Sequence, residues 1–212
     1  IMNSQGLYAY FLLNTQSDPE HAAILTDHGP VSYRQLALFT DLYDALFEGL
    51  PPASLVEIKG SLTPDMLALM LCAWKNGHPF IATPINQPHP LSSDPTYWGV
   101  SCTITPAGQR TIRAIEPVDA DPSWAYGIFT SGSTGKARAC LIGCESFSQI
   151  ILFMKNTFSI RSNDRTLVLN PLTFDLVLFD LFGALFSGAT LCFPSSEKSG
   201  NPAYLSAFIE NT

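Results

Sequence analysis

The chain has 212 residues, a formal net charge of −7 and 46% apolar residues, enough to bury a sizeable core and too apolar for a disordered segment. Its 11 lysines and arginines are scattered, which excludes a nucleic-acid surface, because gripping a phosphate backbone needs a dense cationic patch. The longest apolar stretch, Leu176 to Phe186, is interrupted by Asp180 and Gly183 and falls far short of the ~20 residues that cross a bilayer, so no membrane partner and, without an export signal, a soluble cytoplasmic protein are expected.

In chain order, the first clear elements are a strand at Leu55 to Ile58, a helix over residues 63 to 76 and a strand at Phe80 to Thr83. The helix follows from its punctuation: Thr63 can cap it, Pro64 suits its first turn, Met66, Leu67, Met70, Leu71 and Trp74 recur at helical spacing, and Gly77 ends it. Strand, helix, strand is a βαβ unit with a right-handed crossover expected. Residues 84 to 121 are proline-rich and read as an irregular connection, with short alternating runs at Ser101 to Thr105 and Thr111 to Ile115 as sheet edges. A second βαβ unit is predicted from Trp124: strands to Phe129 and from Arg138 to Ile142, a helix from Glu145 to about Phe158, and a strand from Thr166 to Leu169. A helix from Asp175 to Phe186 and a strand from Thr190 to Phe193 complete the alternation. The expected fold is α/β, a layered parallel or mixed β-sheet flanked by helices.

The chemistry concentrates first in Thr130-Ser131-Gly132-Ser133-Thr134-Gly135-Lys136, with Arg138 close behind. Two glycines allow close backbone approach, the hydroxyls offer neutral donors, and Lys136 and Arg138 supply charge for a polyphosphate. The string is not the G-x-x-x-x-G-K-[ST] loop of nucleoside triphosphatases. Thr130 stands where that pattern needs glycine, and Ala137 where it needs a magnesium-binding hydroxyl. No histidine or acid accompanies the hydroxyls, so none reads as a nucleophile. Asp175 is the second position of interest, a carboxylate among Leu172, Phe174, Leu176, Val177 and Phe179 that by position can cap the following helix. Asp180, five residues on, falls on a different helix face, so the two carboxylates do not form an acid–base pair. Five cysteines lack metal-ligand spacing, and the close pair Cys140 and Cys144 reads as buried free thiols. The histidines, His21, His28, His78 and His89, sit in turn-like contexts and read as surface residues.

The glycine-rich loop resembles the T-S-G-[ST]-T-G-x-P-K-G signature of the adenylate-forming superfamily, which includes acyl-CoA synthetases, luciferases and peptide-synthetase adenylation domains. Val31 to Leu36, Leu71 through Asn86, and Thr173 to Val177 with Phe182 to Ala189 are similar to three further motifs of that family, in the same order. The resemblance covers nearly all of this chain but less than half of the family enzyme. It implies the N-terminal part of an amino-acid adenylation domain, with the C-terminal subdomain outside the 212 residues and supplied by a missing half or a complementing chain. It implies ATP and Mg2+ as cofactors, with Thr130 to Lys136 and Arg138 on the phosphates. By the same resemblance Asp175 holds the α-ammonium group of an α-amino acid, Phe174 lies beside its carboxylate, and Leu176 and Phe179 line a pocket for a small or apolar side chain. The acyl acceptor implied is the phosphopantetheine thiol of a carrier protein. No residue of the chain is assigned as catalytic or metal-binding. Where the family has Pro-Lys-Gly, this chain has Ala137-Arg138-Ala139, which alters the loop's geometry and keeps two alternatives in view: a non-catalytic binding module, or a fragment of an acyl- or aryl-acid ligase.

Overall fold

A computed structural model describes residues 2–85, 100–112, 121–130, 138–195 and 197–211. In chain order its elements are α1 (Ser4–Ser17), β1 (Ala22–Thr26), β2 (Gly29–Ser32), α2 (Tyr33–Leu42), a 3₁₀ turn (Asp44–Leu46), β3 (Leu55–Lys59), α3 (Pro64–Lys75), β4 (Phe80–Thr83), β5 (Val100–Ile104), β6 (Arg110–Ile112), β7 (Trp124–Thr130), β8 (Arg138–Gly143), α4 (Cys144–Thr157), β9 (Arg165–Leu167), α5 (Leu176–Leu185), β10 (Thr190–Phe193) and α6 (Pro202–Asn211). They divide into two units, one from the described residues of 1–9 and 39–149, the other from those of 10–38 and 150–212.

The first unit is built on a six-stranded sheet in the order β6-β5-β3-β4-β7-β8. The β5–β3, β3–β4 and β4–β7 pairs are parallel, and β6 and β8 close the edges in antiparallel sense. The sheet is therefore mixed, and α3 joins parallel neighbours β3 and β4 as the sequence predicts. Its N-terminus is capped by Thr63, whose side chain accepts from the Met66 amide at 3.2 Å, and Gly77 leaves it at φ +80°. Every residue from Met66 to Trp74 is buried, including Ala68, Leu69, Cys72 and Ala73, so α3 is covered on all sides and not only along one apolar stripe. Trp74 fastens it: the indole Nε1–H donates to the Ala125 carbonyl of β7 at 2.7 Å, and the ring meets those of Phe80 and Phe147. Gly127 of β7 lies opposite Ile81 of β4, and a Cβ there would stand 2.8 Å from Ile81 Cγ1, so this strand pair depends on glycine for its approach.

Two polar groups inside this unit are satisfied without ion pairs. Glu57, buried on β3, accepts from the Thr83 hydroxyl at 2.8 Å and the Thr103 hydroxyl at 2.7 Å, one from each neighbouring strand. Tyr43 donates to Asp65 at 2.8 Å. His78, expected at the surface, is instead buried and stacked 5.9 Å from the Phe47 ring. Burial pushes its pKa below the usual value, against an opposing hydrogen bond with the Ser54 backbone. Gly77 ends the helix as expected, but the turn-like context of His78 could not report that this turn packs inward.

The second unit holds a four-stranded sheet, β2-β1-β10-β9, parallel except at the β2 edge. The predicted second βαβ unit is thus corrected: β7 and β8 are an antiparallel pair in one sheet, and β9, after α4, belongs to the other. Helix α5 contributes seven buried residues, from Val177 to Leu185. Helix α2 starts with a reciprocal cap, the Ser32 side chain accepting from the Gln35 amide and Gln35 Oε1 accepting from the Ser32 amide. Its first residue, Tyr33, is buried against Phe11, and its hydroxyl lies 2.8 Å from the Ala189 carbonyl and 3.3 Å from that of Leu185.

Removing the Tyr33 hydroxyl leaves the Ala189 carbonyl short of a partner in a dry site, so Tyr33→Phe is expected to destabilise the chain by about 1–2 kcal/mol in urea denaturation, with little change in far-UV circular dichroism. A second expectation concerns Asp44, where burial raises the carboxyl pKa but hydrogen bonds from Lys75 and Asn76 outweigh it and leave the pKa below 3.8. A depressed carboxyl stabilises the fold above its unfolded pKa, and that contribution disappears as pH falls through the folded value. Asp44→Asn should therefore destabilise the chain by about 0.5–1 kcal/mol at pH 7, and the gap from wild type should close in urea titrations run below pH 3.8.

Candidate functional site

The glycine-rich loop connects β7 to β8, whose antiparallel register pairs Phe129 with Ala139 and Thr130 with Arg138. Ser131, Gly132, Ser133, Thr134, Gly135 and Lys136 lie outside the described residues, as do the side chains of Thr130 and Arg138. The backbone around them is informative. Helix α4 does not begin until Cys144, so the described residues that follow the loop form strand β8 and not a helix N-terminus. Trp74 and Gly127 hold β7 closely against α3 and β4, which fixes the base of this hairpin.

Phe174, Asp175, Leu176 and Phe179 belong to the second unit and are gathered at the head of α5. Phe174 and Leu176 are 57% and 52% exposed, and Asp175 between them is exposed as well, whereas Phe179, one turn further in, is half-buried. Asp175 has φ −59° and ψ −30° and makes no capping hydrogen bond with its side chain. The helix-cap reading of Asp175 is thereby corrected. Its backbone is already helical, so the side chain does not swing back over the first amides as an extended N-cap residue does. The first turn is held by backbone bonds alone, from Phe174 N to Pro171 O, Val177 N to Phe174 O and Leu178 N to Asp175 O. The result is a carboxylate with no hydrogen bond or ion pair to any described residue, flanked by two large apolar side chains that the unit leaves uncovered.

Other polar features lie elsewhere. A cavity of 470 Å³ in the second unit is lined by His21, Thr26, Asn163, Arg165 and Thr190 among others, and Phe174, Asp175, Leu176 and Phe179 are not among its described lining residues. Among the described residues no group of three or more His, Cys, Asp or Glu side chains converges on a metal position. None of the five cysteines forms a disulfide, and Cys140 is exposed where the sequence suggested burial, because it sits on the outer edge strand β8; Cys144 is buried. Sequence reasoning passed over Asn170, whose amide Nδ2 donates to Asp180 Oδ2 at 2.7 Å. Only a ten-residue separation and no periodicity connects these two, so nothing in the local pattern announced them.

The chain matches the family described as AMP-binding enzyme over residues 91–212. It is 28% identical, over 91% of its length, to a dimodular nonribosomal peptide synthase of Bacillus subtilis (strain 168), of which it spans 9%. It is 26% identical, over 90% of its length, to the D-alanine–D-alanyl carrier protein ligase of Bacillus licheniformis, of which it spans 43%. Among solved structures, the nonribosomal peptide synthetase FmoA3 in its α-methyl-L-serine-AMP-bound form has the same fold, with a TM-score of 0.80 at 19% identity over 96% of this chain and 25% of that one. No helix among the described residues is long and apolar enough to cross a membrane. The ordered motifs, the two mixed sheets and these matches lead to one statement: the chain belongs to the AMP-binding family of adenylate-forming enzymes and corresponds to the N-terminal part of an adenylation domain.

Proposed function

We propose that the chain contributes the phosphate loop and the amine-binding end of the acid pocket to an enzyme that adenylates an α-amino acid. The observation that carries this reading is the state of Asp175: exposed, not used as a cap, and set between Phe174 and Leu176 at the head of α5. A carboxylate in that setting suits an ammonium group, and once substrate and the rest of the domain exclude water the pair discriminates strongly against acids that lack the amine. Leu176 and Phe179 favour a small or apolar side chain. In the reaction a substrate carboxylate oxygen forms a bond to the α-phosphorus of Mg-ATP, and the bond from that phosphorus to the bridging oxygen breaks, releasing pyrophosphate. Thr130 to Lys136 with Arg138 hold the β- and γ-phosphates of the leaving group, and Mg2+ offsets the phosphate charge; the protein's part is positioning and charge stabilisation. The aminoacyl group then passes to the phosphopantetheine thiol of a carrier protein, a step consistent with the carrier-protein ligase among the relatives. The cytoplasm, which supplies ATP, is the location this reading carries with it.

The Ala137-Arg138-Ala139 segment favours a second reading, a binding module on the same fold. Arginine keeps the charge of the lysine it replaces but delivers it as a planar fork, and the turn loses its proline and glycine constraints.

Exchange of labelled pyrophosphate into ATP separates the two. In an enzyme completed by joining this chain to the C-terminal portion of an adenylation domain, one small or apolar α-amino acid is expected to promote exchange while aryl and fatty acids do not. A folded enzyme that exchanges with no acid at all supports the binding-module reading, and exchange with aryl or fatty acids alone removes the assignment to Asp175. Asp175→Ala is expected to lower affinity for the amino acid at least about thirtyfold, and to leave the unfolding free energy within about 0.5 kcal/mol of wild type. A loss of stability with unchanged affinity returns Asp175 to a purely structural role.

A further inference from the structure

Between β9 and α5 the chain runs through Val168 to Asp175, and its two ends are fixed in different ways. Val168 is buried and its amide donates to the Cys192 carbonyl of β10 at 3.0 Å. At the other end Val177 and Leu178 are buried on α5. The residues between, Leu169 to Leu176, are exposed or half-exposed, and this is the stretch that carries Phe174 and Asp175. Among the described residues it has one side-chain hydrogen bond, from Asn170 Nδ2 to Asp180 Oδ2 at 2.7 Å. That bond ties the middle of the stretch to α5, just over one helical turn beyond Asp175.

We propose that Asn170 and Asp180 are a pair of positioning residues that clamp the Leu169–Asp175 segment onto α5 and so hold the Asp175 carboxylate where it receives the substrate amine. The inference about the amine rests on the function proposed above; the clamp itself rests only on the geometry of the second unit. Several observations converge on it. Backbone bonds within residues 171–178 shape the turn and tie Phe174 and Asp175 to the first turn of α5, but none of them involves Asn170, whose side chain joins the earlier part of the stretch to the helix. Asp180 is half-buried, and burial raises its pKa against the lowering effect of Asn170. No cation among the described residues pairs with it. A half-buried carboxylate with one neutral donor and no described cation is held by hydrogen bonding and not by ion pairing, and partial burial makes that bond count for more than it would in open water. Its helix face differs from that of Asp175, so it does not repel the pocket carboxylate directly and can act only through the segment it restrains.

Amide hydrogen exchange on the 212-residue chain tests the clamp without any substrate. Asn170→Ala and Asp180→Ala are each expected to speed exchange at Phe174, Val177 and Leu178 roughly tenfold, the scale of one lost charge-assisted hydrogen bond, with exchange in α3 and at the core of β10 unchanged. The exchanged pair Asn170→Asp with Asp180→Asn restores a donor and an acceptor across the same gap and is expected to recover protection. Unchanged exchange in the single variants overturns the clamp, as does uniform acceleration across the whole unit or a failure of the exchanged pair to recover protection. In the completed enzyme the single variants are expected to raise KM for the amino acid roughly tenfold and leave KM for ATP and the maximal exchange rate within about twofold, because the loss falls on substrate positioning. Equal effects on both substrates overturn the link to Asp175. If no amino acid supports exchange in the wild-type enzyme, the substrate reading fails by itself and the amide data alone decide whether the clamp exists.

Discussion

The hydrogen bond from Trp74 to the Ala125 carbonyl is the constraint on which the first unit depends. It joins the last turn of α3 to β7, the strand that leads into the glycine-rich loop. A helix buried on all sides has no polar face to orient it, so its rotation and height must be set by something directional. The indole provides that, with one donor satisfied inside the core and a ring wedged between those of Phe80 and Phe147. Gly127, two residues further along β7, then lets the strand lie close to β4. This packing holds β7, the strand that leads into the glycine-rich loop, against both α3 and β4.

Buried polar groups in both units follow one rule. Glu57 and Tyr33 are each satisfied by partners from distant parts of the sequence, the carboxylate by hydroxyls of two adjacent strands and the phenol by carbonyls around the end of α5. Each bond adds modest net stability, but leaving either group unpaired would be far worse. They therefore select one register and one helix position from the many that hydrophobic burial alone would tolerate.

The head of α5 follows the opposite rule. Two large apolar side chains and a carboxylate with no partner among the described residues remain exposed, although most of the helix that follows is buried. Ordinary helices begin with a capped, polar turn. This one begins with a turn held by backbone bonds and a single lateral tie to Asp180, which leaves Asp175 free for another partner. A departure from local rules at one place in an otherwise consistent structure is characteristic of a functional site.

Much of this was legible in the residues. Thr63, Pro64 and Gly77 bounded α3 to within a residue, β4 and β10 were read at their observed limits, and the ordered motifs identified the family, because capping, turn geometry and alternation act over three or four neighbours. The elements of the first fifty residues, α1 to α2, and the terminal α6 left weaker local signals and were not anticipated. The sequence by itself determined which segments form helices and strands in the middle of the chain, and to which family the chain belongs. Only the tertiary structure decided that β9 joins a different sheet from β8, that His78 lies in the core, that Asp175 is not a cap, and that Asn170 reaches Asp180. Those outcomes depend on strand pairing and on exclusion of water by residues far away in the chain, and neither leaves a mark on the local pattern.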